Sequence, residues 1–184
     1  DVLVAPDGTA YVSDGTAKRI YVFDADGALR RMITSSFFHS VQGMVFTADG
    51  SALIAADYRH GLVHVPLTGT DTVTRITTED GRRIQGLDGL ASHRGALIAT
   101  HNGAAPGRVL RVTLSTDGRT IAGFTVLETV SGEGEPTLGE VIGDAFYYIP
   151  NSPWGAYEAD GSRKAGTPLP RPEIRRLPLV NPTP

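Results

Sequence analysis

Short stretches of alternating apolar and polar residues recur along the whole chain, and glycine, proline and Asp-Gly pairs separate them. Alternation with a period of two is typical of β-strands that bury one face. The three-to-four residue spacing of an amphipathic helix is hard to find anywhere. The pattern therefore predicts an all-β protein.

Four copies of one pattern of strands and turns follow each other in the sequence. The first copy reads DVLVAPDGTAYVSDGTAKRIYVFDADGALRRMI, and the second reads QGMVFTADGSALIAADYRHGLVHVPLTGTDTVTRIT. The residues that close the second strand of each copy are Asp14, Asp57, His101 and Asn151, so the period is about 45 residues. Four strands in a unit of this length are typical of a β-propeller blade, and they fit neither a solenoid turn nor an immunoglobulin sandwich.

The repeat gives approximate boundaries for a single propeller domain or fragment over 1–184. The predicted blades are 1–34, 42–78, 88–128 and 136–179. The last blade lacks its fourth strand, since only VNPTP follows its third, and a long loop insertion over 151–172 interrupts it. Propellers close their ring to remove exposed sheet edges. We therefore expect a C-terminal portion of a six-bladed ring, with a self-closed four-bladed ring as the alternative.

Composition and charge narrow the classes of function. A net charge of −3 offers no concentrated basic surface, so no nucleic acid partner is expected. The absence of cysteine excludes disulfides and thiolate metal sites, and no apolar run reaches the roughly 18 residues of a membrane span, which predicts a soluble protein. The chain starts at Asp1 without methionine. We expect its native N-terminus upstream, which leaves exported, periplasmic and cytoplasmic locations open.

Two of the copies resemble a known group of propellers. The segments VQGMVFTADGSALIAADY and GLDGLASHRGALIATHNG are similar to blades of the bacterial gluconolactonase and senescence-marker-protein superfamily, and the first copy is similar to an NHL repeat. The resemblance covers nearly the whole chain and implies a six-bladed fold. Propellers of this type serve as lactonases, as esterases and as binding modules without catalysis, so it leaves the chemistry open.

A propeller places two sets of loops on one face around its central channel: those before the innermost strands and those between second and third strands. We expect any site to lie there. The first set includes Gln42, Asp88, Glu133, Glu135 and Thr137. The candidates for binding a small molecule or peptide at this mouth are Tyr58, His101, Asn102, Glu135, Asn151 and Trp154.

The resemblance also implies a divalent cation, calcium or zinc, held in the lactonases by a glutamate, an asparagine and an aspartate. Asp88 matches the aspartate, which is also placed for proton transfer, and Gln42 stands at the asparagine position. The glutamate of the family lies in an earlier blade, outside this chain. As the alternative, Asp88 bonds only backbone amides at the start of a strand, and Gln42 only lines the channel.

Two functions follow from these residues. One is a binding domain with a polar site at the channel mouth, and the other is a metal-dependent lactonase or esterase in the full-length parent, with Asp88 as ligand and possible base. Ser40 lies in no Gly-x-Ser-x-Gly motif, and no phosphate loop or dinucleotide pattern occurs. The open edge of the last blade also predicts self-association.

Overall fold

The computed structural model describes residues 1–68, 72–132 and 134–180. Within these residues, fifteen strands form four antiparallel sheets that follow one another along the chain. The sheets are arranged as propeller blades, so the predicted all-β propeller with four visible blades is confirmed. Glu133 and the tail 181–184 lie outside the described residues.

Each sheet is a simple meander in which neighbours in sequence pair antiparallel. Blade 1 contains β1 Val2–Val4, β2 Ala10–Asp14, β3 Arg19–Phe23 and β4 Leu29–Thr34. Blade 2 contains β5 Val41–Phe46, β6 Ala52–Asp57, β7 Gly61–Pro66 and β8 Thr74–Arg75. Blade 3 contains β9 Leu87–His93, β10 Ala96–His101, β11 Arg108–Leu114 and β12 Ile121–Thr129. Blade 4 contains β13 Gly139–Ile142, β14 Ala145–Tyr148 and β15 Arg175–Pro178, with a 3-10 helix over Trp154–Ala156 in its insertion.

The hydrophobic core consists of three layers, and each layer lies between two adjacent blades. In β6, Leu53 and Ala55 pack toward blade 1, whereas Ile54 and Ala56 pack toward blade 3. A third layer joins blades 3 and 4 around Phe146. The period-two alternation of apolar residues thus lets one strand contribute to two layers, because successive side chains point to opposite faces of a sheet.

The Asp-Gly pairs form the predicted tight turns. Gly8, Gly27, Gly50 and Gly118 all have positive φ angles, between 69° and 86°. In the turn between β5 and β6, the Asp49 carboxylate accepts hydrogen bonds from the Thr47 hydroxyl at 2.6 Å and from the Ser51 hydroxyl at 2.8 Å. These local bonds lower the pKa of Asp49 to about 2. Such aspartates are structural elements of the turns.

Other glycines allow the innermost strands of adjacent blades to approach each other. A Cβ atom on Gly43 would lie 2.4 Å from the backbone nitrogen of Leu90 and 2.7 Å from the carbonyl oxygen of Asp88. A Cβ atom on Gly89 would lie 3.1 Å from the Cα of Leu138. The absence of a side chain therefore fixes the spacing of β5, β9 and the start of blade 4 around the channel.

The last blade has three strands within the described residues, with β15 as its outer strand. β14 pairs with one edge of β15, and no described strand pairs with its other edge, so β15 presents an open edge in this part of the chain. Self-association through this edge stays a prediction.

Candidate functional site

A cavity of about 310 Å³ opens on the face where both predicted sets of loops meet. We call it the mouth cavity. Its lining residues are Ser40, Gln42, Tyr58, Asp88, Asn102, Glu135 and Trp154. Blades 2, 3 and 4 all contribute, which means that residues far apart in sequence are brought together by the circular arrangement of the blades. Six of the seven were proposed from the sequence.

Asp88 is the most buried acid of the mouth cavity, with 8% of its surface exposed. Its Oδ2 atom accepts a hydrogen bond from the Thr137 hydroxyl at 2.7 Å and from the Asn102 amide at 2.9 Å. Burial raises the pKa of Asp88, and the two hydrogen bonds oppose this rise. Its partners are side chains from two blades and no backbone amide, which differs from the alternative of a local turn.

The Ser13 hydroxyl in β2 donates a hydrogen bond to the carbonyl oxygen of Gln42 at 2.8 Å. The first blade therefore contacts the wall of the site.

Gln42 and Ser40 form one wall of the cavity. The Gln42 amide donates to the Ser40 hydroxyl at 2.7 Å. Asp57, which is fully buried, holds this segment, because its Oδ2 accepts the backbone N–H groups of His39 and Ser40 at 2.7 and 2.8 Å. Ser40 belongs to no catalytic motif in the sequence. Its position two residues before Gln42 on the same approach to β5 was the available signal.

Tyr58 lines the mouth cavity together with the carboxylates of Asp88 and Glu135. Burial raises the pKa of its phenol, and the negative charges of Glu135 and Asp88 raise it further. The phenol therefore stays protonated at neutral pH.

Asn102 provides an unpaired acceptor in this space. Its amide nitrogen donates to Asp88, while its Oδ1 atom is buried and has no hydrogen-bond partner within the described chain. An oxygen of this kind fits a hard cation, which prefers carboxylate and amide ligands. No group of three His, Cys, Asp or Glu side chains suited to a metal occurs among the described residues. A cation would thus be held by Asp88 together with the amide oxygens of Asn102 and Gln42.

Trp154 and Glu135 form the side of the cavity that belongs to blade 4. Glu135 pairs with Ser152 through two backbone hydrogen bonds of 3.0 and 2.9 Å. Trp154 follows Ser152 by two residues, begins the 3-10 helix and has 59% of its surface exposed. The insertion 151–172 therefore brings an aromatic ring to the rim of the site.

The structure does not place His101 and Asn151 in the lining of the cavity. His101 is buried with its Nδ1 atom 3.5 Å from the Arg108 guanidinium, and burial together with that charge lowers its pKa. The Asn151 amide donates to the carbonyl of Arg171 at 2.8 Å and accepts from the backbone of Glu173 at 3.2 Å. Asn151 thus joins both ends of the insertion, and a ligand role for either residue stays a prediction.

Within the described ranges, no helix is both long and apolar enough to cross a membrane. This agrees with the prediction that the chain has no helical membrane span.

No sequence family and no curated protein matches the chain. Solved structures do match it. They include selenomethionine-substituted virginiamycin B lyase from Staphylococcus aureus, with 16% identity, a TM-score of 0.57, and coverage of 96% of this chain and 54% of that chain. A luciferin-regenerating enzyme matches with 17% identity and a TM-score of 0.61, over 96% of this chain and 59% of that chain.

A third match is regucalcin from Agrobacterium tumefaciens, described as a calcium-binding protein, with 20% identity and a TM-score of 0.59 over 87% of this chain and 55% of that chain. These neighbours are β-propellers of the gluconolactonase and senescence-marker-protein kind. The chain spans between 54% and 59% of their lengths. At such identities the likeness shows the fold alone.

Proposed function

We propose that this chain binds a small polar molecule in the mouth cavity. The observation that carries the proposal is the convergence of two carboxylates, two amides and two aromatic rings from three blades on one cavity of about 310 Å³. This volume lies at the lower end of the range of ligand pockets, about 300–1,000 Å³. Asp88 is the central group, because its Oδ1 atom makes no hydrogen bond within the described chain while Oδ2 is held by Thr137 and Asn102.

The proposal is tested by measuring thermal stability and tryptophan fluorescence with monosaccharides, their lactones, short peptides and small amines, each with EDTA or with calcium chloride. Trp154 is the single tryptophan of the chain, so its emission reports on this site. We expect at least one class to raise Tm and change the emission, and Asp88→Asn to weaken that response. Asp49→Asn makes the same change in an exposed turn and should leave the response intact. The absence of any response across all classes contradicts the proposal.

A divalent-metal-dependent hydrolase of the lactonase or esterase type, in a longer parent protein, is the second candidate. The buried and unpaired Asn102 Oδ1 beside Asp88 favours it. A calcium or zinc ion there would polarise a substrate carbonyl. The Asp88 carboxylate would help to hold the ion, and its raised pKa would suit it to accept a proton.

This second candidate predicts that calcium or zinc raises Tm and that EDTA reverses the rise. Asp88→Asn should abolish the metal effect, and lactone hydrolysis should disappear with it. Ligand binding that is indifferent to both EDTA and added metal would contradict the hydrolase and leave the binding function in place.

A further inference from the structure

Two donors of the mouth cavity are already engaged. One N–H of the Asn102 amide donates to Asp88, and one N–H of the Gln42 amide donates to Ser40. The carboxylates of Asp88 and Glu135, when ionised, can only accept hydrogen bonds. A ligand that satisfies these two carboxylates must bring donors.

The charge of the lining is also one-sided. It contains two acids and neither lysine nor arginine. Asp88 and Glu135 both belong to this lining. A cation between Asp88 and Glu135 would be attracted to both carboxylates although the cavity is partly open to solvent. The buried surroundings of Asp88 screen this attraction less than bulk water does.

Two aromatic rings complete the enclosure. Tyr58 is 37% exposed and Trp154 is 59% exposed, and both line the cavity. An aromatic face attracts a cation within about 6 Å of the ring centre, and tryptophan does so best. The rings therefore offer a ligand an apolar wall that is also compatible with positive charge.

The backbone that carries Trp154 is joined to blade 4 before a ligand arrives. The backbone pairing of Glu135 with Ser152 joins the acid and the segment that leads to Trp154. The Asn151 side chain closes the base of the insertion through its bonds to Arg171 and Glu173. Because Glu135 and the backbone before Trp154 belong to one paired segment, little backbone ordering is required when a ligand binds.

We propose that the ligand of the mouth cavity is a small organic cation, a protonated primary amine whose N–H groups face the carboxylates of Asp88 and Glu135 and whose carbon chain lies against Trp154. This inference rests on the proposed function and adds the chemical class of the ligand. A metal ion would also satisfy the acceptors, but it would make no use of the aromatic wall.

The test uses n-butylammonium and its neutral counterpart n-butanol as probes. Butylammonium should change Trp154 emission in a saturable way and raise Tm, whereas butanol should do neither. Asp88→Asn and Glu135→Gln should each weaken binding by roughly tenfold or more, the loss typical of a hydrogen bond to a charged group. Glu158→Gln is the matched control, because it neutralises an exposed acid of the insertion outside the cavity, and it should leave affinity unchanged.

Trp154→Ala should weaken binding measured by calorimetry by several-fold, and Tyr157→Ala, which removes a neighbouring ring outside the cavity, should not. Equal binding of butanol and butylammonium would overturn the organic-cation assignment and leave the proposed function in place. Calcium binding without amine binding would also overturn the assignment, and it would favour the metal-dependent candidate instead. Binding of the amine that Glu158→Gln reduces as much as Glu135→Gln would also overturn the assignment, since nonspecific attraction to surface acids would then explain the result.

Discussion

The Asp49–Gly50 pair lies in the exposed turn between β5 and β6, whereas the Asp88–Gly89 pair lies at the start of β9 beside the mouth cavity. Gly50 has a φ angle of 69°, and no atom would lie within 4 Å of a Cβ added there. Gly89 has no positive φ, but its Cβ would meet the Cα of Leu138 at 3.1 Å. Glycine is favoured at position 50 because of the positive φ angle, whereas it is required at position 89 because the backbone of blade 4 lies so close.

The two aspartates differ in the same way. Hydrogen bonds from its own turn lower the pKa of Asp49 to about 2. Burial raises the pKa of Asp88, whose partners come from the turn after β10 and from the segment before β13. The same dipeptide thus serves turn formation in one place and a candidate binding site in another. The difference teaches that the role of an Asp-Gly pair is set by what surrounds it.

The largest expected effect separates glycines that face a backbone from glycines that form turns. Gly43→Ala should lower the free energy of unfolding by about 3 kcal/mol, because its Cβ would overlap the backbone of Leu90 in β9. Gly50→Ala should cost only about 1 kcal/mol, the penalty for a positive φ angle without a clash. Urea unfolding of both variants measures the difference. Equal losses would show that the innermost strands can move apart freely.

A smaller effect compares the hydroxyl partners of the two aspartates. Thr137→Val should cost about 1–2 kcal/mol, since it removes a hydrogen bond to a buried carboxylate. Thr47→Val removes the equivalent bond to Asp49 and should cost less than Thr137→Val, because water can replace the hydroxyl in an exposed turn. Denaturant titration at pH 7 checks the order. A larger loss for Thr47→Val would reverse the comparison.

The smallest effect is a pair of opposite pH slopes. The folded chain binds the Asp88 proton more tightly than the unfolded chain does, so wild-type stability should fall relative to Asp88→Asn as the pH rises above about 3.8. Asp49 has the reverse shift. The contribution of Asp49 to the free energy of unfolding is complete above a pH of about 3.8. Relative to Asp49→Asn, the wild type should lose this stability as the pH falls toward about 2.

Unfolding of the three proteins between pH 2 and pH 7, followed by circular dichroism, measures both slopes. Slopes of the same sign for Asp88→Asn and Asp49→Asn would mean that burial does not dominate at Asp88.

Much of the fold could be predicted from the sequence, because blade formation depends on local features. Alternating apolar residues, Asp-Gly turns and a period of about 45 residues were sufficient for the four blades. Gln42 and Asp88 also followed as mouth residues, since each lies at the entry of an innermost strand, and these entries share one face of a propeller. Ser40 was missed because its only signal is its position near Gln42, and hydroxyl residues are common in loops.

The sequence by itself determined the strands, the turns and their order around an axis, because each depends on residues close together in the chain. Only the tertiary structure decided that Asp88 bonds Thr137 and Asn102, that Asn102 Oδ1 is left unpaired, and that Asn151 joins the insertion rather than lining the cavity. These contacts connect different blades or distant segments. Their existence depends on distances between side chains, which a repeat pattern does not specify.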